Sequence, residues 1–347
     1  MNHGNNDIDF VVTWVDGNDP NWQNEKSLYL KKENEAAWSD WVAGGMRYRD
    51  WGLLRYWFRG VETCAPWVRK IHFVTWGHIP AWLDVSNPKL NIVRHEDFIP
   101  KEYLPTFNSN TIELWMHRIP GLSDKFVYFN DDMYLLKEQV KESFFKNGLP
   151  RDFAGLDLGI VTRFNINYRP YNAMVINDHF SKNTVIKQNL SKWINIRYGL
   201  RCNIRTILLM PWPNFSSIQR DHLPCNFLKS TLEEVWKVEY DELHQTCLHR
   251  FRGFKEVNLW LFRDWQRVSG KFIPIHPILN GVFSCGPSDD RALREKISNI
   301  IINKKIPMIC LNDFCEDDIA SDIWMKEMQN AFERRFPKKS SFELEGV

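Results

Sequence analysis

The run Ile8-Asp9-Phe10-Val11-Val12-Thr13-Trp14-Val15 constrains the fold most: it is apolar, β-branched and aromatic, and it ends at Asp16-Gly17-Asn18-Asp19-Pro20. Such a run, closed by turn formers, reads as a buried strand entering a tight acidic turn. The pattern recurs. Residues 70–76 form a second apolar run closed by Gly77 and Pro80, residues 91–94 a short third, and residues 125–129 a fourth that meets Asn130-Asp131-Asp132. Residues 21–46 read as a polar helix. Leu53, Leu54, Trp57, Phe58 and Val61 share one face of a helix over 50–62, and 109–119 reads as another. Strands alternating with helices predict an α/β, Rossmann-like, mostly parallel sheet with flanking helices. Such sheets bind ligands beyond the carboxyl ends of their strands, where Asp16, the loop after Trp76, and Asp131-Asp132 all fall.

The later chain is less regular. Residues 151–215, broken by Tyr168-Arg169-Pro170-Tyr171 and Pro211-Trp212-Pro213, read as a variable, mostly helical insertion between a first part, 1–150, and a second, 216–336. Residues 230–268 read as helical. Residues 300–311 read as a strand interrupted by proline, followed by Asn312-Asp313. The tail, 337–347, is expected to fray.

Bulk properties exclude more than they assign. Lys+Arg total 45 against 43 Asp+Glu, which argues against a nucleic-acid partner. No run approaches the roughly 18 apolar residues of a membrane span, and the N-terminus shows no signal peptide, so a cytoplasmic protein is expected. Any association with the inner face of a membrane would be peripheral. Seven cysteines at irregular spacings fit a reduced compartment. The 16 Trp could fill the core, or some could stack on sugars or a base.

Candidate chemistry sits on the strand ends. Asp131 and Asp132 are adjacent carboxylates after a buried strand, which repel unless a cation or donors compensate. Hard Mg²⁺ or Mn²⁺ suits such oxygens, though Asn-Asp is also ordinary turn chemistry. Asp16 and Asp19 could equally be turn formers. Asn312-Asp313 repeats the strand-then-acid pattern, and Glu316 to Asp318 read as the acidic start of a helix. Arg47, Arg55 and Arg59, His117 and Arg118, His222, and Arg250 and Arg252 supply cations of the kind phosphoryl transfer needs, where positioning and charge stabilisation dominate. No dinucleotide fingerprint, Walker A loop, nucleophile elbow or zinc spacing is present.

These residues carry a resemblance. Residues 8–20 resemble the first conserved region of the Stealth family. RYRDWGLLRYWFRGVETCAPWVRKIHFVTWGHIPAWL (47–83), IVRHEDFIP and LPTFNSNTIELWMHRIPGLSDKFVYFNDDMYL resemble its second, HLPCNFLKSTLEEVW with HRFRGFKEVNLWL its third, and MICLNDFCEDD its fourth. The order is right and most of the chain is covered, as a single catalytic domain over 1–347. Trp51 departs, since many members have Asn there.

The resemblance implies an enzyme of capsular or exopolysaccharide synthesis, any association with capsule-export machinery being peripheral. It would move a hexose-1-phosphate, such as N-acetylhexosamine-1-phosphate, from a UDP-sugar to an oligosaccharide or polysaccharide hydroxyl, releasing UMP with Mg²⁺ or Mn²⁺. It places Asn130, Asp131 and Asp132 on the family's Asn-Asp-Asp, and Arg55 on its Leu-Arg-Tyr. His222 falls on its His-x-Pro, Arg252 on the arginine that follows, and Asn312 and Asp313 on the last Asn-Asp. The resulting expectation gives Asp131, Asp132 and Asp313 to the metal. Arg55, Arg118 and Arg252 take phosphate oxygens, and His222, or an Asp, takes the proton. Asp16, Gly17, Asp19, Asn130, His117 and Asn312 are expected around the substrate. Two rivals remain: a glycosyltransferase attacking the anomeric carbon and releasing UDP, and a sugar-nucleotide binding module without turnover.

Overall fold

In the computed structural model, which describes residues 7–32, 48–159, 168–253, 255–278, 281–315 and 317–346, the predicted sheet forms. β1 (Ile8–Thr13), β2 (Ile71–Thr75), β3 (Leu90–Arg94) and β4 (Lys125–Asn130) run parallel. Their order is β4-β1-β2-β3, and β6 (Cys225–Leu228) joins β4 antiparallel at the edge. A smaller sheet orders β7 (Val282–Cys285), β8 (Met308–Asp313) and β5 (Met133–Leu135), with β7 and β8 parallel. β5 follows β4 after two residues, so Asp131 and Asp132 are the joint between the two sheets.

The central strands are buried on both faces, which explains their continuous apolar runs. One cluster packs α2 (Leu54–Cys64) and α12 (Asp318–Arg335) against one face, around Phe10, Trp57, Phe129 and Trp324. A second packs α10 (Trp260–Val268) and the helical insertion against the other, around Val11, Phe126, Trp193 and Phe262. Most tryptophans are therefore core.

Asp9, inside β1, is fully buried yet compensated. Arg69 Nε donates to its Oδ1 at 2.9 Å, the Ser123 N–H to its Oδ2 at 2.8 Å, and His72 Nε2 lies 3.0 Å away. Burial alone would raise this carboxyl, but His72, Arg69 and Ser123 hold it below its ordinary value.

Several expectations shift. α1 spans Pro20–Lys32, and the rest of the predicted 21–46 helix lies outside the described residues, as do Arg47 and Glu316. α2 starts at Leu54 because Gly52 takes φ +66°. The 109–119 helix is α3 (Ser109–Leu114) followed by a 3₁₀ turn, Met116–Arg118. The insertion is helical: α4 (Tyr168–His179), α5 (Lys182–Gln188), α6 (Leu190–Trp193) and α7 (Gly199–Leu209). It is followed by β6, α8 (Lys229–Val238) and α9 (Tyr240–Leu248). The strand predicted over 300–311 is instead the end of α11 (Arg291–Ile302), a turn, and then β8. The apolar residues Ile300 and Ile301 pack as one helix face, a pattern that a short run cannot distinguish from a strand.

The tail does not fray. Phe342 is buried in the core, Leu83 bridges Glu343, and Arg59 donates to both Glu343 oxygens at 2.8 Å. A short sequence that looks polar can still dock when its acid meets a buried guanidinium.

Candidate active site

Thr13 of β1 sits in register with Asn130 of β4, while β2 continues on the other side of β1. The chain thus diverges between β1 and β4, the place where an open α/β sheet forms a crevice. A cleft opens there, and its lining includes Glu113, Tyr128, Asn130, His222, Arg252 and Trp260.

Two residues of its lining, Asn130 and Met133, flank the carboxylates Asp131 and Asp132. Asp131 is pushed up to about 8, mostly by burial, then by Asp132 and Asp50. Asp132 is also raised by burial, with His222 opposing. One oxygen of Asp132, Oδ1, is buried without a hydrogen-bond partner. The contrast with Asp9 lies in the partners: Arg69, His72 and Ser123 hold that carboxyl below its ordinary value, whereas burial and the neighbouring acids Asp132 and Asp50 raise Asp131. The Tyr134 hydroxyl fixes the loop by donating to the Asp131 carbonyl at 2.7 Å, and the Leu311 N–H donates to the Asp132 carbonyl at 2.9 Å.

Asp50 joins this cluster. Its Oδ1 accepts from the Gly52 N–H at 2.7 Å and its Oδ2 from Trp14 Nε1 at 3.2 Å, yet burial and Asp16 still raise it. Gly17 permits the approach. A Cβ there would lie 2.0 Å from the Tyr48 carbonyl oxygen, so only glycine lets the 48–50 segment lie beside the β1 turn. Asp313 is held by Arg49, Nη1 to Oδ2 at 3.0 Å, and its Oδ1 accepts from the Cys315 N–H. Asp132, His222 and Cys310 place ligand atoms within 4.8 Å of one another, and Asn312 Oδ1 accepts from the Cys310 thiol at 3.7 Å. The buried, unpartnered Oδ1 of Asp132 fits a hard divalent cation, and Asp132 with its neighbour Asp131 could hold one.

α10 braces the loop that carries His222. Arg263 and Arg267 both grip Asp152, with donor distances from 2.7 to 3.0 Å. Arg263 also donates to Asp221 at 2.6 Å, fixing the loop just before His222. The His222 ring meets the Trp260 ring edge-on at 5.8 Å, and its Nε2 lies 3.4 Å from Asn130 Nδ2. Arg252 donates to the Ser109 hydroxyl at the start of α3. Glu113, one turn further along that helix, is buried and pushed up to about 7 by burial, with Arg252 and the Tyr128 hydroxyl opposing.

Sequence comparison matches this frame. Models of Stealth protein conserved regions 1, 2 and 4 match residues 6–33, 47–152 and 301–346. The capsular polysaccharide phosphotransferase WcwK of Streptococcus pneumoniae is 43% identical over 343 residues, 97% of this chain and 98% of its own. The chain belongs to the Stealth family. It is an enzyme of the transferase class. The exopolysaccharide phosphotransferase cps2G of Lactiplantibacillus plantarum is 37% identical, covering 97% of this chain and 96% of its own. The receptor polysaccharide phosphotransferase WefC of Streptococcus oralis is 37% identical, covering 98% and 100%.

Within this Stealth frame the predicted residues divide. Asp16, Asn130, Asp131, Asp132, His222, Arg252, Asn312 and Asp313 gather at the strand ends. Asp19 serves α1: its Oδ1 accepts from the Asn21 and Trp22 N–H groups, ahead of Pro20 in the first turn. Arg55 lies over the Trp82 ring at 5.6 Å, outside the cleft lining. His117 and Arg118 are not brought to the cleft. His117 is buried against Trp115 and Trp236, burial pushes it down to about 4, and Lys229 beside it marks the opposite end of the sheet. Arg118 lies over the Trp115 ring on the surface. The helix bearing them turned into a 3₁₀ segment that descends toward the start of β4. Arg118→Ala is therefore expected to keep transfer within about twofold of the parent, measured as product formed at saturating donor.

Sequence reasoning missed Asp50, Arg49 and Glu113. Glu113 carried a signal, an isolated acid between Ile112 and Leu114 on a helix whose neighbours are apolar. Asp50 and Arg49 carried none, because their role depends on two distant segments meeting.

Proposed function

We propose that this Stealth enzyme is a sugar-1-phosphate transferase of capsular or exopolysaccharide synthesis. It moves a hexose-1-phosphate from a UDP-sugar to a hydroxyl of an oligosaccharide or polysaccharide. The supporting observation is the Asp131-Asp132 pair, raised by burial, at the end of β4 beside the crevice that His222 and Arg252 line. Relatives that match along their whole length are named for phosphotransfer in polysaccharide synthesis.

Asp131 and Asp132 would hold Mg²⁺ or Mn²⁺, which when bound draws charge from the pyrophosphate oxygens. Arg252 neutralises a phosphate oxygen from the opposite wall. Asp313, bridged by Arg49, backs the acidic floor. His222 Nε2 takes the proton as the acceptor oxygen bonds to the β-phosphorus and the bond to UMP breaks. Trp260 offers a ring face beside His222. Glu113, also in the cleft and pushed up to about 7 by burial, is tied to the wall by its hydrogen bond from Tyr128.

The test is incubation with UDP-sugars, Mg²⁺ and oligosaccharide acceptors. Phosphorus NMR should show a new phosphodiester, and chromatography should show UMP. Release of UDP would instead mean attack at the anomeric carbon, and binding without any product would mean a module without turnover. His222→Ala and Arg252→Ala should each lower kcat/KM by at least about 100-fold, and full activity in both would sink the assignment.

A further inference from the structure

The helical insertion carries a surface that transfer chemistry does not use. Between Ser181 and Gln219 the chain has no Asp or Glu, but it has Lys182, Lys187, Lys192, Arg197, Arg201 and Arg205. The whole chain carries a formal charge of only +2, so this is a local concentration of positive charge. Lys182 is buried and braces the end of α7 through the Leu209 and Met210 carbonyls, at 3.0 and 2.9 Å. Lys187, Arg197 and Arg201 are exposed.

α7 is held by a narrow inner side. Cys202 and Thr206 are buried there, and Cys202 packs with Phe153 and Tyr198. Its outer side is apolar. Leu200 is 77% exposed, Ile204 44%, Ile207 50% and Leu208 71%. At helical spacing these four fall in one stripe roughly 100° wide, and Arg201 and Arg205 follow along one of its edges. Just before the helix Ile196 is 93% exposed, and just after it Trp212 is 59% exposed. Single exposed apolar residues are ordinary, but a continuous crest along one helix and its flanks marks an interaction surface.

The charges decide what covers it. A second copy of the chain would set this acid-free segment against itself, cation facing cation. An anionic bilayer satisfies both parts: its hydrocarbon takes the crest, and its phosphates take the bordering cations. A tryptophan at the end of such a helix suits the water–hydrocarbon boundary. Among the described residues no helix is long and apolar enough to cross a membrane, so the contact would be one that lies on the surface.

We propose that α7 and its flanks dock this enzyme on an anionic phospholipid bilayer. Leu200, Ile204, Ile207 and Leu208 enter below the headgroups, and Arg197 and Arg201 meet the lipid phosphates.

Vesicle flotation with the full chain tests this. The vesicles are phosphatidylcholine alone, or phosphatidylcholine with about 30% phosphatidylglycerol. The parent should float with the anionic vesicles at least about tenfold more than with the neutral ones, and added salt should weaken that binding. Leu200→Asp with Leu208→Asp should abolish flotation, and Arg197→Gln with Arg201→Gln should reduce it several-fold. All four side chains are exposed, so circular dichroism and turnover of a water-soluble acceptor should match the parent. Equal recovery on both vesicle types overturns the proposal, as does undiminished flotation of the Leu200/Leu208 variant. A parent dimer that these substitutions convert to monomer also overturns it and assigns the crest to a second copy.

Discussion

Asp131→Asn is expected to stop transfer and, at the same time, make the cation-free protein harder to unfold. On the proposed function the activity loss should be about 1,000-fold or more, because the substitution removes one of the two carboxylates that would hold the divalent ion. The gain in stability at pH 8, on the order of 1–3 kcal/mol, follows from deleting a carboxyl whose charged form burial and two neighbouring acids disfavour. The sign of the pH dependence is fixed. Asp131 in the folded chain titrates at about 8, raised by burial, Asp132 and Asp50, against about 3.9 unfolded. The folded state therefore holds this proton more tightly. Its contribution is complete below the unfolded value and is lost as pH rises through about 8. Urea titrations of the cation-free parent should show stability falling from pH 6 to pH 8, and Asp131→Asn should show a shallower fall. Mn²⁺ or Mg²⁺ should restore the parent at pH 8 and leave the variant nearly unchanged, since the ligand must be deprotonated to bind. A variant less stable than the parent at pH 8 would show that Asp131 is structural.

Glu343→Ala should destabilise the fold by about 3–5 kcal/mol at pH 7 without touching the cleft. The side chains of Arg59 and Glu343 are 5% and 2% exposed, and Arg59 reaches both Glu343 oxygens, the Phe336 carbonyl and Glu333. Removing Glu343 leaves a buried guanidinium with one partly exposed carboxylate partner, and frees the segment whose Phe342 packs on Phe58. Burial alone would raise the Glu343 carboxyl, but Arg59 and the Ser340 N–H hold it below its usual range. Its stabilisation is thus present above the unfolded carboxyl value and is lost as pH falls through the lower folded one. Urea midpoints of parent and Glu343→Ala should be far apart at pH 7 and converge in acid. Equal midpoints at pH 7 would mean that the tail contributes nothing.

These two carboxylates show how far sequence reasoning reaches. Asp9, Asp131 and Glu343 are all acids in or beside apolar segments, and nothing local separates them. What separates them is the partner. Arg69, His72 and Ser123 converge on Asp9, and Arg59 on Glu343, each from a distant stretch of chain. Asp131 receives instead two further acids, Asp132 and Asp50. The same blindness placed His117 and Arg118 at the substrate: a helix predicted to run to residue 119 hid the turn that carries them to the far end of the sheet.

By itself the sequence determined the parallel sheet, because a strand buried on both faces must be apolar throughout and must stop at turn residues. It determined that Asp16, Asn130-Asp131-Asp132 and Asn312-Asp313 stand at strand ends, and through its ordered motifs it determined the family. Only the tertiary structure decided which of those ends meet, which buried acids are compensated, and that Asp50, Arg49 and Glu113 belong to the site. Strand and helix patterns are local and repeat along the chain, whereas compensation of a buried charge depends on residues tens to hundreds of positions apart, which only packing brings together.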